Sequence, residues 1–164
     1  IKVAGKVQVN KGPAAGRLDW TAVTGDDKEL PAVTLTMDET MQFSASGTLA
    51  LDVFGFVQVS GNFALEKYST TVTLAGQTAT TSVDVLAFGM DDVDVFVGAG
   101  PYFNADGTHS VDAIGFLLED TSLAVALFTR TAGPGSGTYH AVSARAQTIG
   151  WRGLPCRPLT QEFP

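Results

Sequence analysis

The chain runs to 164 residues with a formal net charge of −7; it is 45% hydrophobic but only 16% charged, where soluble domains average about 25% charged. That apolar content excludes a disordered chain, and the polar surface must be built mainly from Thr, Ser, Gly, Asn and Gln, as in secreted β proteins. No Lys or Arg stands between Lys67 and Arg130, a window that holds Asp84, Asp91, Asp92, Asp94, Asp106, Asp112, Glu119 and Asp120; nucleic acid, which requires a basic stripe, is therefore not an expected partner.

In chain order, the first expected feature is a turn at Gly25-Asp26-Asp27 joining two early strands. From Thr48 to Glu66 apolar residues take the odd positions (Leu49, Leu51, Val53, Val57, Val59, Phe63, Leu65), and a strict period of two predicts strand. Gly55 and Gly61 interrupt it as bends or bulges. Thr70 to Leu74 reads as a strand ended by Gly76. Val83, Val85 and Ala87 alternate before Gly89, and Val93, Val95 and Val97 continue the pattern. Asn104-Ala105-Asp106-Gly107 predicts a turn. Leu123, Val125 and Leu127 mark another strand, Gly133-Pro134-Gly135-Ser136-Gly137 an exposed loop, and Val142 to Ile149 a short helix. Apolar runs stay far below the roughly 18 residues of a membrane-spanning helix. Cys156 is the only cysteine, which excludes an intrachain disulfide. The chain starts at Ile1 without a basic leader or apolar signal core.

Three segments resemble one another. They begin at Phe56, Phe88 and Phe116, spaced by 32 and 28 residues, and each has a polar or acidic middle and an apolar residue seven positions on: Phe63, Val95 and Leu123. In one unbroken strand an odd offset places the two residues on opposite faces, so a corner at the polar middle is expected if both point inward. Stacked coils of a β-solenoid have that geometry; an antiparallel β-sandwich or barrel is the alternative. Leu30-Pro31 through Leu35-Thr36 also matches Leu154-Pro155 through Leu159-Thr160 at a shift of 124 residues. The expectation is an all-β fold in which residues 1–164 are a single β-rich repeat module, a fragment of a tandem array.

The runs Val93-Asp94-Val95-Phe96-Val97-Gly98, Gly115-Phe116-Leu117-Leu118-Glu119-Asp120, Ala124-Val125-Ala126-Leu127 and Tyr139-His140-Ala141-Val142-Ser143-Ala144 resemble repeats of the giant secreted surface proteins of bacteria. These are grouped with adhesins and include chains with an LEPR-XLL leader. The resemblance covers most of residues 30–150; Gly150-Trp151-Arg152-Gly153 and Cys156-Arg157-Pro158 depart from it. It implies a β architecture at an extracellular or cell-surface location, and carries over no functional residue.

Catalytic motifs are sparse. Ser136 lacks the nucleophile-elbow glycines, His109 and His140 have no sequence partner, and Cys156 has no neighbouring base. Asp91, Asp92 and Asp94, or Glu119 and Asp120, are the carboxylate pairs available for acid–base work, but nothing in sequence supplies the apolar pocket that raises an acid's pKa. Calcium, which takes six to eight oxygens, suits Asp92 and Asp94 on one strand face with Asp106 from the nearby turn. No cofactor other than Ca²⁺ is expected. The function expected is a structural or adhesive repeat module without catalysis, self-associating with neighbouring repeats and presented to a surface or glycan ligand. The alternatives are a carbohydrate-binding β-sandwich using Trp20, Tyr68, Tyr102 and Trp151, and a segment of an outer-membrane β-barrel.

Overall fold

A computed structural model describes residues 1–13, 16–106, 108–132 and 137–153. These build one antiparallel sheet from β1 (Lys2–Val9), β2 (Met41–Val53), β3 (Val57–Thr73), β4 (Thr80–Ala99), β5 (Ile114–Arg130), β6 (Thr138–Arg145) and β7 (Thr148–Arg152), with one helical turn, α1 (Trp20–Val23). Strands β1 to β6 lie in chain order, each hydrogen-bonded to the next, and β7 joins the outer edge of β5 beside β6. The sheet is open, not closed into a barrel.

Alternation over Thr48–Glu66 becomes the hairpin of β2 and β3. It turns at Phe54-Gly55, where Gly55 has φ 72° and its N–H is held by Asp52 Oδ1 at 2.7 Å. Gly76, at φ 76°, turns β3 into β4 as read. The runs before and after Gly89 prove to be one 20-residue strand.

Several expectations are corrected. Successive strands pair antiparallel as hairpins, so the described residues do not form stacked solenoid coils. Phe56 lies in the β2–β3 turn at 65% exposure, whereas Phe88 pairs with Leu65 and Val125 and Phe116 with Val97 and Trp151. The three rings therefore share no column. Of the second set, Phe63 and Leu123 flank Met90 in one cross-strand row, but Val95 sits in another, between Val59 and Leu118. Val142 to Ile149 is not helix; it belongs to β6 and β7. The Gly25-Asp26-Asp27 turn follows α1 instead of joining two strands. Residues 133–136 of the glycine loop, Cys156 and the Leu154–Thr160 match lie outside the described residues.

The expected corner does exist, as a line of irregularities across the sheet. The register of β3 with β4 slips between Ser60 and Asn62, and that of β4 with β5 between Met90 and Val95. Asp92 and Asp120 take left-handed φ values of 53° and 51°, which short acidic side chains tolerate better than most. Gly61 completes the line. A Cβ there would lie 2.6 Å from Val93 Cγ2 and 2.8 Å from its Cα, so glycine lets the bulged β4 approach. The break between β6 and β7 continues it, with Gln147 N donating to Glu119 O at 3.2 Å. Bulges of this kind bend strands and increase their twist.

Cross-strand register divides the sheet into two unlike faces. One, the covered face, carries Gln8, Tyr68, Val83, Val85, Phe96 and Leu117; its buried core is Phe96, Tyr102, Ala113 and Leu117. The other, the open face, carries Leu49, Phe63, Leu65, Phe88, Leu118 and Val125, none of which is fully buried.

Candidate functional site

The densest set of polar side chains lies where the β4–β5 connection folds onto the covered face. Gln58 on β3, itself 5% exposed, begins the anchorage: its Oε1 accepts from Tyr102 N at 3.0 Å and its Nε2 donates to Gly100 O at 3.3 Å. Tyr102 stacks on Phe96, with ring centroids 4.9 Å apart and planes within 6°. Beneath them Gly98 pairs with Gly115, and a Cβ on Gly98 would come within 2.6 Å of Phe96 Cζ. Two glycines thus make room for the ring.

The Tyr102 hydroxyl, at the far end, donates to Glu119 Oε1 at 2.6 Å. His109 stacks over Tyr102 at 4.5 Å. Its two ring nitrogens face separate carboxylates, Nε2 lying 3.5 Å from Asp94 Oδ2 and Nδ1 lying 3.4 Å from Glu119 Oε1. Arg152 of β7 reaches Glu119 at 3.8 Å and lies over the Tyr102 ring at 5.6 Å. Burial first, then the bond to Glu119 and the negative charge around it, push the Tyr102 hydroxyl well above its ordinary pKa. It is held neutral as a donor, which is the opposite of an activated nucleophile. The chemistry of this cluster is that of a fastener: hydrogen bonds and stacked rings fix residues 100–106 and 108–113 to the sheet.

The sequence-predicted calcium ligands are only partly brought together. Asp92 and Asp94 line one recess with Ser60, Asn62 and Lys2. Asp106 is not among its lining residues; its Oδ1 accepts from Thr108 N at 3.0 Å and from Thr108 Oγ1 at 2.6 Å. That hydroxyl, ahead of the backbone bond, lowers the Asp106 carboxyl below its usual range. Asp94 Oδ1 accepts from Asp120 N at 3.2 Å. Loss of water and the neighbouring Asp92 carboxylate raise the pKa of Asp120. Among the described residues no three His, Cys, Asp or Glu side chains converge as a metal-holding group.

The candidate sugar-stacking aromatics are dispersed. Tyr102 is fully buried, Trp20 donates Nε1 to Asn10 Oδ1 at 3.0 Å within the β1–β2 connection, and Tyr68 lies half-buried in β3. Trp151, 69% exposed, stands edge-on to Phe116 on the open face. His140 also projects from the open face, in register with Leu127.

Sequence reading missed two things here. Gln58 and Tyr102 form the anchor, and neither belongs to a motif. The only signal was a large aromatic, Tyr102, next to Pro101 in a stretch otherwise reading as loop. The second is the open face itself. Every large apolar side chain that is exposed within a strand, except Tyr139, lies on it: Val3, Val7 and Val9 on β1, Val53, Leu86, Val97, Ile114 and Leu127 in the middle, and Val142, Ile149 and Trp151 on the far edge. No helix among the described residues is long and apolar enough to cross a membrane. No family model, curated protein or solved structure matches this chain.

Proposed function

We propose that this chain is a structural and adhesive repeat module of a longer secreted protein, held outside the cell or at a bacterial cell surface, and that it has no catalytic activity. One observation carries the reading: a single open sheet leaves one face largely apolar, with Val3, Val7, Val97, Ile114, Val142, Ile149 and Trp151 exposed on it. Contiguous exposed apolar surface of this extent marks a place of association, and here it spans the sheet from β1 to β7 instead of forming a pocket. The finer architecture that fits is half of a β-sandwich. Two sheets bury their inner faces against each other, and this chain supplies one such face.

The rest of the surface agrees with an extracellular scaffold. Charge is sparse, long strands are tied along their length by backbone hydrogen bonds, and the polar cluster at Tyr102 serves to fasten a loop. The carbohydrate-binding alternative is less well supported, because Trp20, Tyr68, Tyr102 and Trp151 share no platform on which a sugar could stack. The direct test is location and cohesion. An antibody against this chain should label intact cells that make the parent protein, and deleting the segment should weaken their attachment to one another or to surfaces. Labelling only after permeabilisation would defeat the reading.

A further inference from the structure

We infer that the open face packs against the same face of a second copy of this chain, forming a two-layer β-sandwich across a twofold axis. The inference rests on the reading of the sheet as an associating module and names what covers it.

Shape, chemistry and size support a second sheet of the same kind. The recesses along the sheet, such as those floored by Ala64, Gly89 and Ala124 or by Ser60 and Asp94, involve the small and polar residues of the covered face. The open face instead presents Leu, Val, Ile and Phe side chains in two pleated blocks, one on each side of the bulge line at Gly61. A surface like that is complementary to another right-handed twisted sheet, which packs on it with strands inclined by about 30°. Its middle carries no charge: the open-face positions of β3 to β5 between Leu65 and Val57 are Leu65, Phe63, Val59 and Val57, then Phe88, Met90, Val95 and Val97, then Phe116, Leu118, Leu123 and Val125. The charged open-face residues Lys67 and Asp84 fall beyond this block at one end.

At a strand spacing of about 4.8 Å and a rise of about 3.3 Å per residue, the open face is about 25 Å wide across its six strand positions, and its uncharged rows, from Phe88 to Val97 on β4, are about 30 Å long. Apposing two copies over that area would bury about 1,500 Å² in total, the size of a standard protein–protein interface. A face that is its own complement gives an isologous, closed pair.

Joining by the edges is opposed by charge. One edge strand, β1, carries Lys2 and Lys6; the other edge carries Arg145 on β6, while Arg152 on β7 is engaged by Glu119. Both edges are basic, and lysine on an edge is a known guard against strand pairing.

The test uses the whole chain. Sedimentation equilibrium across a concentration series should give a dimer, and hydroxyl-radical footprinting should show Met90 and Trp151 becoming protected as concentration rises while Tyr139, on the covered face, does not change. Leu65→Lys and Val125→Lys should weaken the dimer by about 100-fold, the effect of placing a charge in an interface centre. Ala124→Lys, on the covered face, should not. Should a lysine variant fail to fold, the footprint of the natural chain still decides. A dimer protected along β1 or on the covered face would overturn the pairing and leave the module reading standing. A monomer whose open face binds an apolar dye would overturn the second copy as occupant and again spare the module reading. A monomer that binds no dye, with Met90 protected at every concentration, would overturn both.

Discussion

The two faces of this sheet are made from the same strands, often from adjacent residues, yet they have opposite fates. On the covered face, Phe96 and Leu117 meet the Tyr102 ring of a connecting loop and lose nearly all their exposure. On the open face their neighbours Val97 and Phe116 face each other across β4 and β5, and Val97 remains 45% exposed. Apolarity alone therefore does not make a core. Burial requires a second layer, and among the described residues the only layers that meet the sheet are loops. What distinguishes the faces around Phe96 is the fourteen-residue connection between β4 and β5, which includes the right aromatic, hydrogen-bonded at the right height.

The comparison is broken most sharply at Phe96. Phe96→Ala should cost about 3–5 kcal/mol, as for other buried aromatics, while Phe56→Ala, 65% exposed in the β2–β3 turn, should change stability by less than about 0.5 kcal/mol. Urea unfolding of the two variants measures the contrast, and equal losses would mean that the covered face is not the core. A smaller effect is expected from Gly98→Ala. The added methyl would press on Phe96 Cζ at 2.6 Å and on the backbone of Gly115, so overpacking should cost about 1–3 kcal/mol.

Tyr102→Phe keeps the ring stack and removes only the hydroxyl that bonds Glu119. A loss of about 1.5 kcal/mol is expected, the value of a hydrogen bond to a charged acceptor. The sign with pH follows from the raised pKa: this contribution is complete below the ordinary tyrosine value of 10.0 and is lost as pH climbs through the higher folded value. Wild type and variant should therefore differ at neutral pH and converge in alkali.

Asp120 sharpens the comparison from the other side, since its carboxyl pKa is raised by lost water and by Asp92. A raised acid contributes stability below its unfolded value of 3.8 and loses it as pH rises through the folded value. Asp120→Asn, which keeps a residue tolerant of positive φ, should thus show a slightly higher Tm than wild type at pH 7, with the gap closing in acid. The smallest effect is expected for calcium. With Asp106 engaged by Thr108 and Lys2 lining the same recess as Asp92 and Asp94, millimolar Ca²⁺ after chelation should leave Tm unchanged. A rise abolished by the double change Asp92→Asn and Asp94→Asn would restore the ion.

Much of the local structure was legible in the residues. Period-two alternation between Thr48 and Glu66 gave strands because a pleated chain puts successive side chains on opposite faces. Gly55 and Gly76 marked turns because both adopt positive φ. The odd offset from Phe88 to Val95 pointed to a corner, and the left-handed Asp92 supplies it as a bulge within a strand. The solenoid failed because spacing of like residues does not say whether the next strand runs parallel or antiparallel. The helix expected from Val142 to Ile149 failed because an edge strand of this sheet, half uncovered, reads like an amphipathic helix in so short a run.

By itself, then, the sequence determined strands, turns and an acidic, charge-poor surface, all set by interactions between near neighbours. Only the tertiary structure decided which face of each strand is covered, that Tyr102 rather than the three aligned phenylalanines anchors the core, and that Asp106 is bonded by Thr108. Those outcomes depend on where a connecting loop returns to the sheet, and that is fixed by contacts between residues distant in the chain, such as Gln58 with Tyr102, for which no local pattern exists.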